Sequence, residues 1–263
     1  LTVTESDFSL LWTNTTSSRV MGTTISDDGS KMAAVSQGYF YFFLNGNSTP
    51  QWSYSVPDYY STGIDKIRIS GDGEYIVAIS SMSSSSSECE NNGCGKLFLF
   101  RTNSSTPVWS VVYEDSFGSL ETSKDFSSIL VTHSNRIYLF NLTSDGDYEK
   151  YWSTSGSYYP ISTSVSDDGN SIIYLAYVNN NAKVFYVERD STEPEWSYTR
   201  NSCSGDKFIS ISGNGEYAAL SCGSKVNYFK TSSSTPLWTA SLTDGESQLS
   251  ISYDGSLRVA GNE

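Results

Sequence analysis

The sequence predicts an all-β fold built from one repeated unit, and three observations predict it. A turn of Asp-Gly or Asn-Gly recurs between apolar runs: "ISDDGS" (Ile25–Ser30), "ISGDGE" (Ile69–Glu74), "VSDDGN" (Val165–Asn170), "ISGNGE" (Ile211–Glu216) and "ISYDGS" (Ile251–Ser256). A tryptophan occurs once per repeat, at Trp12, Trp52, Trp109, Trp152, Trp196 and Trp238, with spacings of 40 to 57 residues. Tyr (19) and Phe (12) far outnumber Met (3), and no ten-residue stretch has a clean 3.6-residue apolar period, so strands are favoured over helices.

Each repeat reads as four strands. Strand A precedes the turn, as in "IRIS" (Ile67–Ser70) and "ISIS" (Ile209–Ser212). In the turn the glycine supplies positive φ and the Asx side chain bonds back to the backbone. Strand B follows, as in "KMAAV", "YIVAIS" and "YAALS". Strand C is aromatic and alternating: "YFYFFL", "KLFLF", "RIYLF", "KVFYV", "KVNYF". Strand D carries the tryptophan, as in "QWSYSV", "VWSVVY", "EWSYT" and "LWTASL".

Four strands in roughly 40–45 residues is the period of a propeller blade, which buries both faces only by stacking on its neighbours. The last residues supply strands A and B of a sixth copy. The first align with strands C and D, at Leu1–Thr4 and Leu10–Trp12. Joining the ends leaves 37 residues from Trp238 round to Trp12, close to one repeat. The expectation is therefore a single domain over residues 1–263, a six-bladed β-propeller with four antiparallel strands per blade. Its last blade is closed by N-terminal strands C and D and C-terminal strands A and B, which removes the exposed sheet edge.

Two copies depart from the pattern. In "TSKDFS" (Thr122–Ser127) Phe126 stands where glycine is expected, and positive φ there costs about 1–2 kcal/mol, so a different turn type is expected. Ser80–Lys96 reads as a polar surface loop inserted between strands B and C of its repeat, its tip stapled by Cys89 and Cys94.

The "S-x-D-G" turns followed by an apolar run resemble those of WD40-like and TolB-type propeller repeats. The strand-D pattern, apolar-Trp-Ser/Thr after a polar loop, resembles the quinoprotein (PQQ)-like propeller repeat. The resemblance covers essentially the whole chain and implies architecture more than activity. The Gly-His and Trp-Asp signatures of true WD40 repeats are missing, and "NSTP" or "SSSTP" replaces the quinoprotein-type "Thr-Gly-Lys". A quinone enzyme of that family would carry a larger ring and an acidic calcium site, and neither is visible. No cofactor is expected.

The net charge of −13 argues against nucleic acid and anionic lipid as partners. No apolar run of about 20 residues is present to insert into a membrane. Without an initiating Met or a signal peptide, the chain is expected to be a processed mature form or a fragment. The four cysteines lack the paired C-x₂-C spacing of a zinc site, so disulfides are expected, within Cys89/Cys94 and between Cys203 and Cys222. Sequons stand at Asn14, Asn47, Asn103 and Asn141, the last three assigned to equivalent C–D loops.

Candidate chemistry is sparse. The turn residues Asp28, Asp72, Asp168 and Asp254 are read as hydrogen-bonded turns rather than metal ligands. His133 has no nucleophile in a recognised context, and the tryptophans read as blade-to-blade core. Tyr59, Tyr60, Tyr158 and Tyr159 precede strand A in two blades and form a possible contact rim. No catalytic, cofactor-binding or metal residue is assigned.

The resulting expectation is a non-catalytic extracellular or cell-surface propeller glycoprotein, a structural, adhesion or assembly module able to self-assemble or bind protein partners and glycans. The alternative is a lectin, lyase or hydrolase with its site at a central channel, using residues such as Asp65, Lys66, Arg68, Glu121 and Lys207.

Overall fold

The computed structural model describes residues 9–16, 18–59, 66–89, 93–114, 117–133, 135–143, 147–154, 158–179, 181–201, 203, 207–241, 248–256 and 258–261. Two compact units divide the chain, Leu1–Glu114 and Asp115–Glu263.

The first unit contains two sheets. One runs β1 (Val20–Ile25), β2 (Lys31–Ser36), β3 (Tyr39–Leu44), β4 (Trp52–Ser55); the other β5 (Lys66–Ile69), β6 (Tyr75–Met82), β7 (Cys94–Arg101), β8 (Pro107–Glu114). The second unit contains three more: β9 (Phe117–Thr122) to β12 (Tyr148–Ser153) through β10 (Ser128–His133) and β11 (Arg136–Leu142); β13 (Tyr159–Val165) to β16 (Trp196–Arg200) through β14 (Ser171–Val178) and β15 (Asn181–Glu188); and β17 (Lys207–Ile211) to β20 (Trp238–Ser241) through β18 (Tyr217–Cys222) and β19 (Lys225–Lys230). A two-stranded sheet of β21 (Gln248–Ile251) and β22 (Arg258–Gly261) follows. All pairings are antiparallel and every four-stranded sheet keeps the order A, B, C, D.

Among the described residues there are thus five complete sheets and one of two strands, rather than six blades. Of the strands expected to complete the sixth, Leu1–Thr4 lies outside the described residues. Leu10–Trp12 is described and is not a strand. The physical reason is local: no described strand lies beside it to supply ladder bonds, and it is held instead by the Trp12 ring against Phe43. The expected Ser80–Lys96 loop is also shorter. Its ends extend β6 and β7, with Met82 opposite Cys94, because both strands continue their ladder.

Burial explains the strand sequences. Strands B and C lie in the middle of each sheet, covered on both faces, and read as near-continuous apolar runs: Ile76–Ile79, Ile129–Val131 and Ile172–Ala176 are buried throughout. Strand A is an edge, and neighbouring A strands satisfy one another through hydroxyls. Ile69 N–H donates to Thr24 Oγ1 (3.2 Å) in the first unit and Ile211 N–H to Ser164 Oγ (3.1 Å) in the second. The Ser/Thr content of strand A therefore completes the backbone hydrogen bonding that an edge leaves open.

The turns repeat atom for atom. Ser212 Oγ donates to Asn214 Oδ1 (2.7 Å), Glu216 N–H donates to the same oxygen (3.1 Å), and Tyr217 N–H donates to Ser212 Oγ (3.0 Å). Ser26–Lys31, Ser70–Tyr75 and Ser166–Ser171 make the same set with Asp in place of Asn. Successive turns are linked: Asp27 N–H donates to Gly71 O (3.0 Å) and Asp167 N–H to Gly213 O (2.9 Å). Gly215 has φ +74°, and a Cβ there would come within 2.6 Å of Ser171 Oγ in the preceding sheet. Glycine is needed for conformation and for close approach.

Phe126 corrects the expectation of a different turn. It adopts φ +58° and keeps the repeat geometry: its N–H donates to Ser123 O (3.2 Å), and Ser127 N–H donates to Asp125 Oδ1 (2.9 Å). The buried phenyl offsets the backbone strain, since burying such a side chain contributes about 1.5–3 kcal/mol. Phe126→Gly loses about 3–5 kcal/mol of packing and relieves about 1–2 kcal/mol of strain, so urea unfolding should read a net destabilisation of about 1–4 kcal/mol. A variant more stable than the parent would contradict this balance.

Candidate functional site

A cleft lies on the outer face of the first sheet. It encloses about 430 Å³ and is lined by Trp12, Val20, Ile25, Met32 and Phe43, with Asn14 and Thr16 at its edge. The alternation of "YFYFFL" builds it. Tyr39, Tyr41 and Phe43 point to one face and stack at 6.2 and 6.4 Å between ring centroids, while Phe40 and Phe42 point to the other. Trp12 continues the aromatic row at 5.5 Å from Phe43. Ile25 remains 58% exposed and Leu10, beside Trp12, 80%. No titratable side chain is among the cleft's lining residues, and its surface is mainly apolar.

The tryptophans give the cleft its meaning. Trp52 is stacked between Phe42 of its own strand C and Phe100 of the next sheet's, at 5.5 Å from each. Trp196 lies the same way between Tyr186 (5.6 Å) and Phe229 (5.7 Å). Their indole N–H groups donate to carbonyls just after the next strand C, Thr102 O and Thr231 O, and Trp152 donates to Arg189 O (2.6 Å) in the same manner. Trp12 on Phe43 is one half of such a stack. Trp238 on Tyr228 (5.2 Å), still 38% exposed, is half of a separate one.

The other candidate residues are placed as follows. His133 is buried at the end of β10 between Phe117 (5.8 Å) and Tyr138 (5.7 Å), an aromatic packing role. The tyrosines expected to form a rim are placed individually. Tyr59 packs into the first unit's core against Gly38, Tyr158 packs against Phe185 (5.1 Å), and only Tyr159 is well exposed; Tyr60 lies outside the described residues. These rings are large enough to be drawn into the apolar gaps at strand ends, which sequence position does not reveal. Lys66, Arg68, Glu121 and Lys207 are half-buried on A strands, and Asp65 lies outside the described residues.

Asn47 and Asn103 are exposed in loops after β3 and β7, and Asn14 is exposed with its amide donating to Ser48 O (2.8 Å). Asn141 is a correction: it belongs to β11, paired with Ser128 and Glu149, because that strand continues two residues further than its counterparts suggest. Cys89 is joined to Cys94 and Cys203 to Cys222, with Cα separations of 5.4 and 5.5 Å. Two disulfides point to a non-cytosolic environment. No helix of the described residues is long and apolar enough to cross a membrane, and among them no group of three His, Cys, Asp or Glu is placed to hold a metal ion.

The turn carboxylates are shifted by the turns themselves. The Ser30 N–H, then the Ser26 hydroxyl, hold Asp28 down at about 2, and the Ser256 N–H, then the Ser252 hydroxyl, do the same for Asp254. Burial raises Asp168, but the Ser166 hydroxyl and Asn170 N–H outweigh it and the net shift is downward. A carboxyl lowered in the folded state contributes stability above its unfolded value of 3.8 and loses it as pH falls through the folded value. The aspartate turns should therefore weaken between pH 3.8 and about 2. Asp168→Asn, which copies the natural Asn214 turn, should flatten the acid limb of a melting-temperature profile; an unchanged limb would contradict the assignment.

No family model and no curated protein matches the sequence. Solved structures do match the fold. Kuenenia stuttgartiensis hydrazine synthase aligns with TM-score 0.66 at 15% identity, over 92% of this chain and 73% of that one. Kluyvelomyces marxianus Hsv2 aligns with TM-score 0.59 at 12% identity, over 93% and 73%. The β-propeller domain of Myceliophteria thermophila Cps50 (Swd1) aligns with TM-score 0.61 at 8% identity, over 82% and 66%. At these identities the likeness establishes the fold alone, a β-propeller.

Proposed function

We propose that this chain is a non-catalytic, extracellular or cell-surface propeller glycoprotein that acts as a structural, adhesion or assembly module, in its most concrete form the repeating subunit of a filament or surface layer. One observation carries the reading: residue types that could do chemistry recur at equivalent architectural positions. The aspartates close turns, the tryptophans tie sheets together, and His133 fills a gap between rings. The disulfides and the exposed Asn47 and Asn103 sequons support an extracytoplasmic setting.

The same reading takes residues 1–263 as one six-bladed domain whose last blade combines β21 and β22 with N-terminal strands. The two half-made stacks, Trp12 on Phe43 and Trp238 on Tyr228, support it, because one further sheet would complete both.

Native material imaged by negative stain, with intact mass before and after glycosidase treatment, tests the proposal. Ordered assemblies and a mass excess removed by the glycosidase are expected. A chain that stays monomeric at high concentration with an unmodified mass would overturn it.

A further inference from the structure

In the second unit the two ends of the sheets differ in net charge among the described residues. Each sheet there is an antiparallel meander, so A–B turns and C–D loops share one end, while B–C turns and D–A connections share the other. The first end is acidic. Asp125, Asp168 and Glu216 sit exposed in A–B turns, and Glu188, Asp190 and Glu193 lie exposed at a C–D loop; they outnumber the cations at this end, Lys124, Arg189 and Lys230.

Among the described residues the opposite end is basic; the carboxylates Asp206, Asp244 and Glu246, in the D–A connections, lie outside the described residues. Arg136, Lys183 and Lys225 stand at one repeated place, three residues before the strand-C residue that faces the tryptophan: Leu139, Tyr186 and Tyr228. Lys207 opens β17 directly opposite Cys222, whose other neighbour is Lys225, and Arg200 closes β16. Lys183 Nζ lies 5.1 Å over the Phe185 ring and Lys207 Nζ 5.3 Å over Tyr177, so aromatic faces hold these ammonium groups at this end.

We propose that this unit stacks head to tail on a second copy of the chain, the acidic turn end of one against the basic end of the next. The inference rests on the assembly reading above and specifies its contact. Opposed ends are complementary, whereas like ends repel. The net charge of −13 opposes approach at long range. At physiological salt the Debye length is about 8 Å, so charges inside the contact outweigh distant ones. A head-to-tail contact that does not close on itself propagates, which gives a filament.

The test uses the full chain in sedimentation velocity, at about 0.15 M and about 1 M NaCl, where screening lengths are about 8 and 3 Å. Two variants reverse the ends: Lys183→Glu with Lys225→Glu, and Glu188→Lys with Glu216→Lys. Circular dichroism establishes that both fold. The parent should form species larger than a monomer at low salt and revert at high salt. Each variant alone should associate more than about tenfold more weakly, and mixing the two should restore assembly. Assembly that persists in high salt and in both variants would overturn this contact and leave the assembly reading standing. A parent that is monomeric throughout would overturn both. A monomeric parent that binds polyglutamate through Lys183 and Lys225 would assign the basic end to an acidic polymer instead and overturn the proposal.

Discussion

The fold depends on one interaction, the stacking of a strand-D tryptophan between strand C of its own sheet and strand C of the next. A single blade is a twisted sheet apolar on both faces, and it has no stable existence alone. The tryptophan solves this at one point per repeat. Its ring area supplies apolar burial to two sheets at once, and its N–H finds a carbonyl on the far side, as at Trp52, Trp152 and Trp196. Adjacent sheets within a unit are thereby tied together. That is why the turn backbones can meet across sheets, Asp27 with Gly71 and Asp167 with Gly213, and why only glycine fits beside Ser171.

Much of this was legible in the sequence. The turn and the tryptophan recur in plain text, and strand C alternates visibly, so the strand assignments of "YFYFFL" and "KVNYF" agree with β3 and β19 almost residue for residue. Both disulfides could be paired from the chain as well, because the Cys203–Cys222 pair brackets one hairpin and Cys89–Cys94 one loop. What could not be read were effects of neighbours distant in sequence. Phe126 looked like a broken turn because the value of burying its ring is set by the packing around it, including Tyr148, whose hydroxyl reaches its carbonyl. The tyrosine pairs looked exposed because nothing in "DYY" or "SYY" tells that Gly38 makes room for Tyr59 or that Phe185 receives Tyr158.

The candidate surfaces follow the same logic. Function in a repeat protein lies where copies differ. Tyr39 stands where Lys96, Arg136, Lys183 and Lys225 supply a cation, and it lengthens the aromatic row of Tyr41 and Phe43 by one ring. The repeated cations in turn give the second unit a basic end that the acidic turns oppose. The charged ends carry the contact proposed for assembly, and the apolar face is the one that a further sheet of the proposed ring would cover.

The central claim, that the tryptophan couples adjacent sheets instead of merely filling its own, is tested most directly by a double-mutant cycle. Trp196→Ala, Phe229→Ala and the double variant would be compared in urea unfolding. Their rings belong to neighbouring sheets and sit 5.7 Å apart. The account predicts a coupling free energy of about 0.5–1.5 kcal/mol between them. Additivity within about 0.3–0.5 kcal/mol, the behaviour of independent sites, would contradict it.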